Sequence, residues 1–387
     1  MMRRRPESPV AIGVIVGAIA LVFVTLRLLV AADGDISRFV VAGSAFTDAA
    51  QVQPAIRVID GSAGYDGQFY WRLATNPTEL NVAANHGVRF DAEFRATRIG
   101  YPAIAWTLSL GQASWVKWSL VVSNILGMAA IAWSGARIAR SRGRRPLVGL
   151  ALASSSGLVF SISRDLCEVT MVAGLTAGVA LMARRQYAWA SLCWMVACLA
   201  HEQALLCVIP FGAYRLVEMI RRRERLPAAQ DLPWIASLAT FGLWQLICLA
   251  VIGKVSVLTS KSNVGIPFKG LFEQSKDWLL NGIGPVEAII VPQVALLVTL
   301  VVLAFRSVKN LQADDRWLSW VLVVAALLTA SLSNYVWDGP ADLRHFVVLS
   351  TIAWLVIVKS GTRIPIALIA ATGTVWMLTA AARIAEV

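Results

Sequence analysis

Long apolar runs separated by short polar or basic stretches recur along almost the whole chain. A helix needs roughly 20 mostly apolar residues to cross a bilayer, because the hydrocarbon core is about 30 Å thick. The runs therefore predict about eleven transmembrane helices, at residues 10–31, 115–138, 147–162, 169–183, 187–200, 204–220, 232–252, 288–305, 317–332, 346–358 and 364–382. A shorter apolar run, residues 99–110, is expected to dip into the membrane or to lie at its surface.

Clusters of arginine predict how these helices are oriented. The densest cluster lies at residues 137–145, and others lie at 3–5, 184–185 and 221–223. Lysine and arginine are retained on the cytoplasmic side of membrane proteins. We therefore expect a cytoplasmic N-terminus and an extracytoplasmic C-terminus. Two long loops, residues 32–98 and 253–286, are expected outside the cytoplasm, and residues 1–387 are expected to form a single transmembrane domain.

Composition supports this interpretation. The chain is 57% hydrophobic and 15% charged, and its mean hydropathy of +0.66 exceeds that of soluble globular domains. The net charge of +12 does not indicate a nucleic-acid-binding surface, since the basic residues sit in short clusters between apolar runs. The predicted fold is an all-α polytopic membrane protein whose long first extracytoplasmic loop carries short amphipathic helices.

The five cysteines fall within or at the ends of apolar segments, and their spacing matches neither a disulfide framework nor a zinc site. They are interpreted as small apolar packing residues.

The first long loop contains the most informative polar segment, Asp60-Gly-Ser-Ala-Gly-Tyr65-Asp66-Gly67-Gln68-Phe69-Tyr70-Trp71-Arg72. Asp66 lies between Tyr65 and Gly67, which predicts a tight turn that presents the carboxylate. Residues 68–74 are expected to form a short amphipathic helix on the membrane surface. The alternative is a surface turn with an aromatic anchor and no further role.

Three further polar clusters border apolar runs on the predicted outer side. They are Arg164-Asp165-Leu-Cys-Glu168, His201-Glu202-Gln203 and Asp338-Gly-Pro-Ala-Asp342-Leu-Arg344-His345. On a helix Asp165 and Glu168 would share a face and Arg164 would pair with Glu168. The alternatives are ion pairs that satisfy themselves at the membrane boundary and arginines that extend towards the headgroups. Their position on the outer side, against the positive-inside bias, favours a functional interpretation.

These features suit the transfer of a group from a phospholipid carrier. Such a donor has an apolar tail that packs among helices and an anionic phosphate that guanidinium groups bind. A carboxylate would accept a proton from the acceptor hydroxyl, or hold a divalent ion that activates it. A cation would neutralise the departing phosphate.

On these residues the chain resembles the GT-C superfamily of polyprenyl-phosphate-dependent glycosyltransferases, and within it a bacterial cell-surface glycopolymer branch. The resemblance lies in Gly64-Tyr65-Asp66-Gly67-Gln68-Phe69-Tyr70, Arg98-Ile-Gly-Tyr101-Pro102, Arg164-Asp165-Leu-Cys-Glu168 and His201-Glu202. It implies an inverting hexosyl- or pentosyltransferase in the bacterial inner (plasma) membrane. The implied partners are a polyprenyl-phosphate sugar donor, a cell-envelope glycan or lipid acceptor and membrane lipids, with no nucleic acid.

In that superfamily the loop after the first helix carries the catalytic acidic residue, which maps to Asp66, with Asp60 as the second candidate. The residues expected to bind substrate are Tyr65, Gln68, Tyr70, Arg98, Arg164, Asp165, Glu168, His201, Glu202, Arg344 and His345. The resemblance allows a divalent cation, Mg²⁺ or Mn²⁺, with Asp66 as its ligand. The loop lacks the paired Asp-x-Asp or Glu-x-Asp of some members.

Two other functions fit the same layout. A transporter or flippase of lipid-linked saccharides would build its site from charges inside the spans, and few charges lie deep within the predicted spans. A non-catalytic subunit for envelope assembly would use the outer loop only to bind a partner.

Overall fold

The computed structural model describes residues 8–223, 228–259, 264–282, 284, 287–337 and 344–385. The α-helices, numbered α1 to α15 in chain order, are Pro9–Val30, Gly67–Thr75, Gly100–Leu108, Val116–Ser141, Ser156–Ser163, Glu168–Met182, Tyr187–Ala200, Leu205–Arg222, Leu232–Ile252, Lys269–Asn281, Glu287–Ser307, Trp317–Ala330, Asn334–Trp337, Val347–Lys359 and Ile366–Ala385. Short 3₁₀ segments are Ile36–Phe39, Glu93–Thr97, Ala113–Trp115, Pro146–Ala153, Glu202–Ala204, Ala229–Asp231, Ser256–Thr259, Val308–Asn310 and Ala313–Asp315. Two-residue strands β1 (Ala42–Gly43) and β2 (Val58–Ile59) pair in parallel.

In the described part of the chain, six helices are long and apolar enough to cross a membrane. They are Pro9–Val30, Ala113–Ser141, Glu202–Arg222, Ala229–Ile252, Ala288–Asn310 and Ile366–Ala385. A seventh results if the pair Pro146–Ala153 and Ser156–Ser163, bent by 57°, is one span. The prediction of an all-α, multi-pass membrane protein fits these helices, whereas the prediction of about eleven spans does not.

The predicted count is too high because several apolar runs form short helices. The helices α6, α7, α12 and α14 have 15, 14, 14 and 13 residues. At about 1.5 Å per residue such helices reach about 20–23 Å, less than the hydrocarbon core. Every residue of α14 except Ser350 is buried. The apolar residues of α14 therefore pack inside the protein. From the sequence alone, an apolar run that packs against protein looks the same as one that faces lipid.

The run at residues 99–110 forms the nine-residue helix α3, too short to cross a membrane. It ends in a turn where Leu110 and Gly111 have φ values of 53° and 73°, and the chain then enters the 3₁₀ turn that precedes α4. The side of the protein on which residues 32–98 lie is called the loop side below.

Residues 32–98 fold into a compact layer over the loop side of the helices. The predicted helix in this loop is present as α2, but it does not lie on a membrane surface, because all nine of its residues are buried. Trp71 and Leu73 are fully enclosed, and Phe39, Val40 and Val88 complete an apolar core around them. The prediction of an interfacial amphipathic helix is therefore wrong in its placement, and α2 is a core helix whose N-cap residue is Asp66.

Several of the clustered arginines at the far end of α4 make structural contacts. Arg144 donates to the carbonyl oxygens of Ile357 (3.0 Å) and Val358 (3.3 Å), at the C-terminus of α14. A cation is favourable at that position because helix carbonyls there lack partners and carry partial negative charge. The buried Asp315 accepts from Lys359 at 2.6 Å and also contacts Arg142. These contacts link α4, α12 and α14.

The contact between α4 and the 3₁₀ segment Pro146–Ala153 requires glycine on both sides. A Cβ on Gly135 would lie 2.3 Å from the carbonyl oxygen of Gly149, whereas a Cβ on Gly242 in α9 would meet nothing within 4 Å. We expect Gly135→Ala to lower the free energy of unfolding by about 1–3 kcal/mol, as overpacking does. Gly242→Ala should be neutral or slightly stabilising. Thermal unfolding in detergent measures both, and equal melting temperatures for the two variants would contradict this packing.

Candidate active site

Asp66 stands at the centre of a cluster of buried ion pairs on the loop side. Arg344 Nη1 lies 2.7 Å from Asp66 Oδ2, Arg95 Nη1 lies 2.7 Å from Asp66 Oδ1, and Arg98 Nη1 lies 3.7 Å from Oδ2. The Asp66 residue is only 5% exposed. The structure thus brings together a carboxylate and an arginine that are 278 positions apart in the chain.

The backbone around Asp66 is shaped by two glycines. Gly64 has a φ of +66°, a conformation that L side chains rarely adopt. A Cβ on Gly67 would lie 2.6 Å from the carbonyl oxygens of both Val40 and Arg164. The turn can therefore pack closely against the start of the loop and against the end of α5, and this contact brings Asp66 to the arginines.

Gln68, predicted to bind substrate, is part of the support for this turn. Its Oε1 accepts from Thr47 Oγ1 at 2.8 Å and from the Gly43 amide at 3.2 Å. Its Nε2 donates to the Ala63 carbonyl at 2.8 Å. The side chain is fully buried, so these bonds fix the position of the turn relative to β1.

Tyr65 and Tyr70 both contact arginines of the cluster. The Tyr65 ring is flanked by two guanidinium groups, those of Arg164 at 5.0 Å and Arg344 at 4.9 Å, a favourable cation–π arrangement. The Tyr70 hydroxyl accepts from Arg98 Nη1 at 3.2 Å. Both tyrosines therefore contact the arginines that surround Asp66.

The pair His201-Glu202 joins the same cluster through Arg98. Arg98 donates twice to the Glu202 carboxylate, at 2.9 and 2.6 Å, in the bidentate geometry that favours guanidinium–carboxylate recognition. His201 Nδ1 lies 3.5 Å from Glu202 Oε2. Burial, with Arg98 nearby, lowers the pKa of His201 to about 3, so the imidazole is neutral at pH 7.

The segment 164–168 does not form the single helical face predicted from its spacing. Helix α6 begins only at Glu168, and Asp165 adopts a left-handed φ of 49°. Glu168 Oε1 faces Arg344 Nη1 at 3.7 Å, whereas the positive charge that counteracts the effect of burial on the pKa of Asp165 is that of Arg27 in α1. Burial raises the pKa of Asp165 well above its ordinary value. Glu168 thus belongs to the Asp66 cluster, and Asp165 lies beside it, towards α1.

The remaining predicted residues differ in position. His345 lies near enough to His201 to lower the pKa of that imidazole. Asp60, the second candidate for the catalytic acid, is exposed, and its carboxylate accepts from the adjacent Gly61 amide at 3.0 Å. Asp338 and Asp342 lie outside the described residues.

Sequence reasoning missed Arg95 and its partner Asp91. Arg95 donates twice to the Asp91 carboxylate, at 2.7 Å each, while its third nitrogen contacts Asp66. The two residues are four apart in a polar segment that ends at Arg98. This spacing of opposite charges could have indicated the ion pair from the sequence. Asp91 orients Arg95 towards Asp66.

The electrostatics of Asp66 follow from these contacts. Burial alone would raise the pKa of Asp66, but Arg344, Arg95 and Arg98 outweigh it and hold the pKa well below its ordinary value. Since guanidinium groups contact both carboxylate oxygens, the surroundings of Asp66 do not fit the divalent cation that the resemblance allows at this residue.

An apolar cavity of about 260 Å³ lies between the helices, and its wall includes Phe23 and Ile162, which are close in sequence to Arg27 and Arg164. It is enclosed by α1, α4, the bent segment before α6, and α15, with Phe23, Ile162 and Trp376 in its wall. Ile19 and Met377 at its edge are 46% and 68% exposed. The cavity therefore reaches the apolar outer surface of the helices.

Comparison with protein-family models finds no match, and comparison with curated proteins finds none either.

Proposed function

We propose that this protein is a membrane glycosyltransferase that moves a sugar from a polyprenyl-phosphate carrier to a cell-envelope glycan or lipid acceptor. The proposal depends on one observation: three arginines, Arg95, Arg98 and Arg344, surround a single loop carboxylate, that of Asp66. An apolar cavity that reaches the lipid-facing surface of the helices supports it. A lipid phosphate has the two chemical features that this arrangement can bind. The proposed location is the outer face of a bacterial inner membrane.

The donor phosphate would compete with Asp66 for the guanidinium groups. Arg344 and Arg95 each place one nitrogen on the carboxylate at 2.7 Å, and phosphate oxygens accept such bonds equally well. Once Arg344 turns to the phosphate, the pKa of Asp66 rises, because a main cause of its depression is removed. Donor binding thus converts a weak base into a competent one.

In the transfer step the acceptor oxygen attacks the anomeric carbon of the donor sugar. The bond between that carbon and the phosphate oxygen breaks, the acceptor hydroxyl proton passes to the Asp66 carboxylate, and polyprenyl phosphate leaves with the bonding electrons. Negative charge grows on the departing phosphate, where Arg344 and Arg98 stabilise it. Attack from the face opposite the phosphate inverts the anomeric configuration.

The apolar cavity has a matching role for the donor tail. Phe23 in its wall is one turn from Arg27, and Ile162 is two residues from Arg164. Arg164 and Arg344 contact the same Tyr65 ring, so a lipid whose phosphate binds Arg344 would place its first isoprene units in the cavity. The rest of the tail would extend past Ile19 and Met377 into the bilayer.

The proposal is tested with purified protein in liposomes. Polyprenyl phosphate should raise the melting temperature of the protein, whereas the uncharged polyprenol of equal length should not, because it lacks the group that the arginines bind. Polyprenyl-phosphate-linked sugars added with an acceptor extract should be consumed, with release of polyprenyl phosphate. Equal stabilisation by polyprenol would contradict the proposed phosphate site.

The same liposomes distinguish the rival functions. A flippase would move a fluorescent lipid-linked sugar across the bilayer without any acceptor, and an assembly subunit would neither move nor consume it. Either outcome, with donor consumption absent, would overturn the proposed reaction.

A further inference from the structure

Three different metal-ligating groups meet beside the Asp66 cluster. The Cys167 sulfur, a Glu168 carboxylate oxygen and a His201 ring nitrogen all lie within 4.8 Å of one another. The three residues are 0%, 1% and 3% exposed. Nothing in their sequence spacing indicated a metal site, since Cys167 and His201 are distant in the chain.

The fold explains why these groups converge. Cys167 is the N-cap residue of α6, Glu168 is its first residue, and His201 follows the last residue of α7. Because α6 and α7 pack against each other and are joined by residues 183–186, the start of one meets the end of the other. The N-terminus of a helix stabilises a thiolate and a carboxylate, the forms that bind metals.

Neighbouring groups are placed to support a bound metal. Cys167 Sγ and Tyr70 Oη are 3.0 Å apart, with the thiol donating. Arg98 Nη1 donates to the same Tyr70 oxygen, so the tyrosine proton can turn to a Cys167 thiolate. Ser161 Oγ lies 3.2 Å from Glu168 Oε2, while Glu168 Oε1 faces Arg344 Nη1 at 3.7 Å, so a metal at Oε1 would share that oxygen with Arg344. Such outer hydrogen bonds orient metal ligands.

We propose that Cys167, Glu168 and His201 form a binding site for a divalent transition metal of the zinc type, with an open fourth position. Mixed nitrogen, oxygen and sulfur ligands select such ions over Mg²⁺. Ligand atoms around tetrahedral zinc lie about 3.5 Å apart, whereas the three ligand atoms here lie within 4.8 Å of one another. Side-chain shifts of about 1 Å would therefore bring them to the distances that a bound zinc requires. The Gln203 amide donates to His201 Nδ1 at 3.1 Å, and a metal bound at Nδ1 replaces that bond.

The test uses purified full-length protein with Zn²⁺ or Co²⁺ alone, so its outcome does not depend on the transfer reaction. Wild type should retain one zinc per chain by elemental analysis, and Co²⁺ should give a thiolate-to-cobalt charge-transfer absorption. Cys167→Ser should lose that absorption, while the matched variant Cys193→Ser, altered in the middle of α7, should keep it. His201→Asn should weaken binding more than about 100-fold, and Tyr70→Phe about 10-fold to 100-fold with the absorption retained.

Melting temperatures of the metal-free variants control for loss of fold. The site is refuted if wild type retains no metal and gives no thiolate absorption with Co²⁺, or if Cys193→Ser removes the absorption as Cys167→Ser does. A protein that transfers sugar but binds no metal would refute the metal site alone, whereas a metal-loaded protein that does not transfer sugar would refute the proposed reaction alone.

Discussion

Replacing Asp66 by asparagine is expected to lower sugar transfer by about 100-fold to 10,000-fold, the usual contribution of a positioned general base. Asparagine keeps the shape of the side chain but cannot accept the acceptor proton. It also removes the negative charge that Arg95 and Arg344 contact at 2.7 Å. Transfer is therefore measured per folded molecule in liposomes, with the melting temperature and polyprenyl phosphate binding recorded in parallel.

Asp60→Asn is the matched control, because Asp60 lies in the same loop but is exposed and bonds only to its neighbour among the contacts described for it. Its transfer rate should equal that of wild type. If Asp66→Asn binds donor and still transfers sugar within about twofold of wild type, Asp66 is not the base. If only Asp60→Asn loses sugar transfer, Asp60 is the general base instead of Asp66.

Replacing Arg98 by methionine is expected to reduce the free energy of unfolding by about 3 kcal/mol. Arg98 is 6% exposed and makes a bidentate contact with Glu202. Removing one partner of a buried ion pair leaves the other charge without compensation, which costs about 3–5 kcal/mol when both are fully buried. The value expected here is at the lower end because the Glu202 side chain is 26% exposed.

Lys254→Met is the control for this second variant. Lys254 pairs with Glu93, but its side chain is 60% exposed, so its removal should cost at most about 1 kcal/mol. The double variant Arg98→Met with Glu202→Leu should recover part of the stability, since both charges leave together. Thermal unfolding in detergent provides all three values. Equal losses for Arg98→Met and Lys254→Met would show that burial does not strengthen the Arg98 pair.

Local chemistry explains why the turn at Asp66 could be predicted from the sequence. Gly64, two residues before Asp66, adopts positive φ, and Gly67, directly after Asp66, allows close packing; both preferences belong to glycine itself. The helix after Asp66 was also expected nearly where α2 lies. Its burial was not, because aromatic residues such as Phe69 and Trp71 suit a membrane interface and a protein core equally well.

By itself the sequence determined the all-α, multi-pass membrane class of the protein and the turn that carries Asp66. Those features depend on the hydrophobicity of continuous segments and on the backbone preferences of single residues. Only the tertiary structure decided that the apolar run of α14 is covered by protein, that Asp66 meets Arg344 across 278 residues, and that Cys167, Glu168 and His201 converge. Whether lipid or protein covers a helix, and which charges become neighbours, depends on packing between distant segments, and no local pattern encodes it.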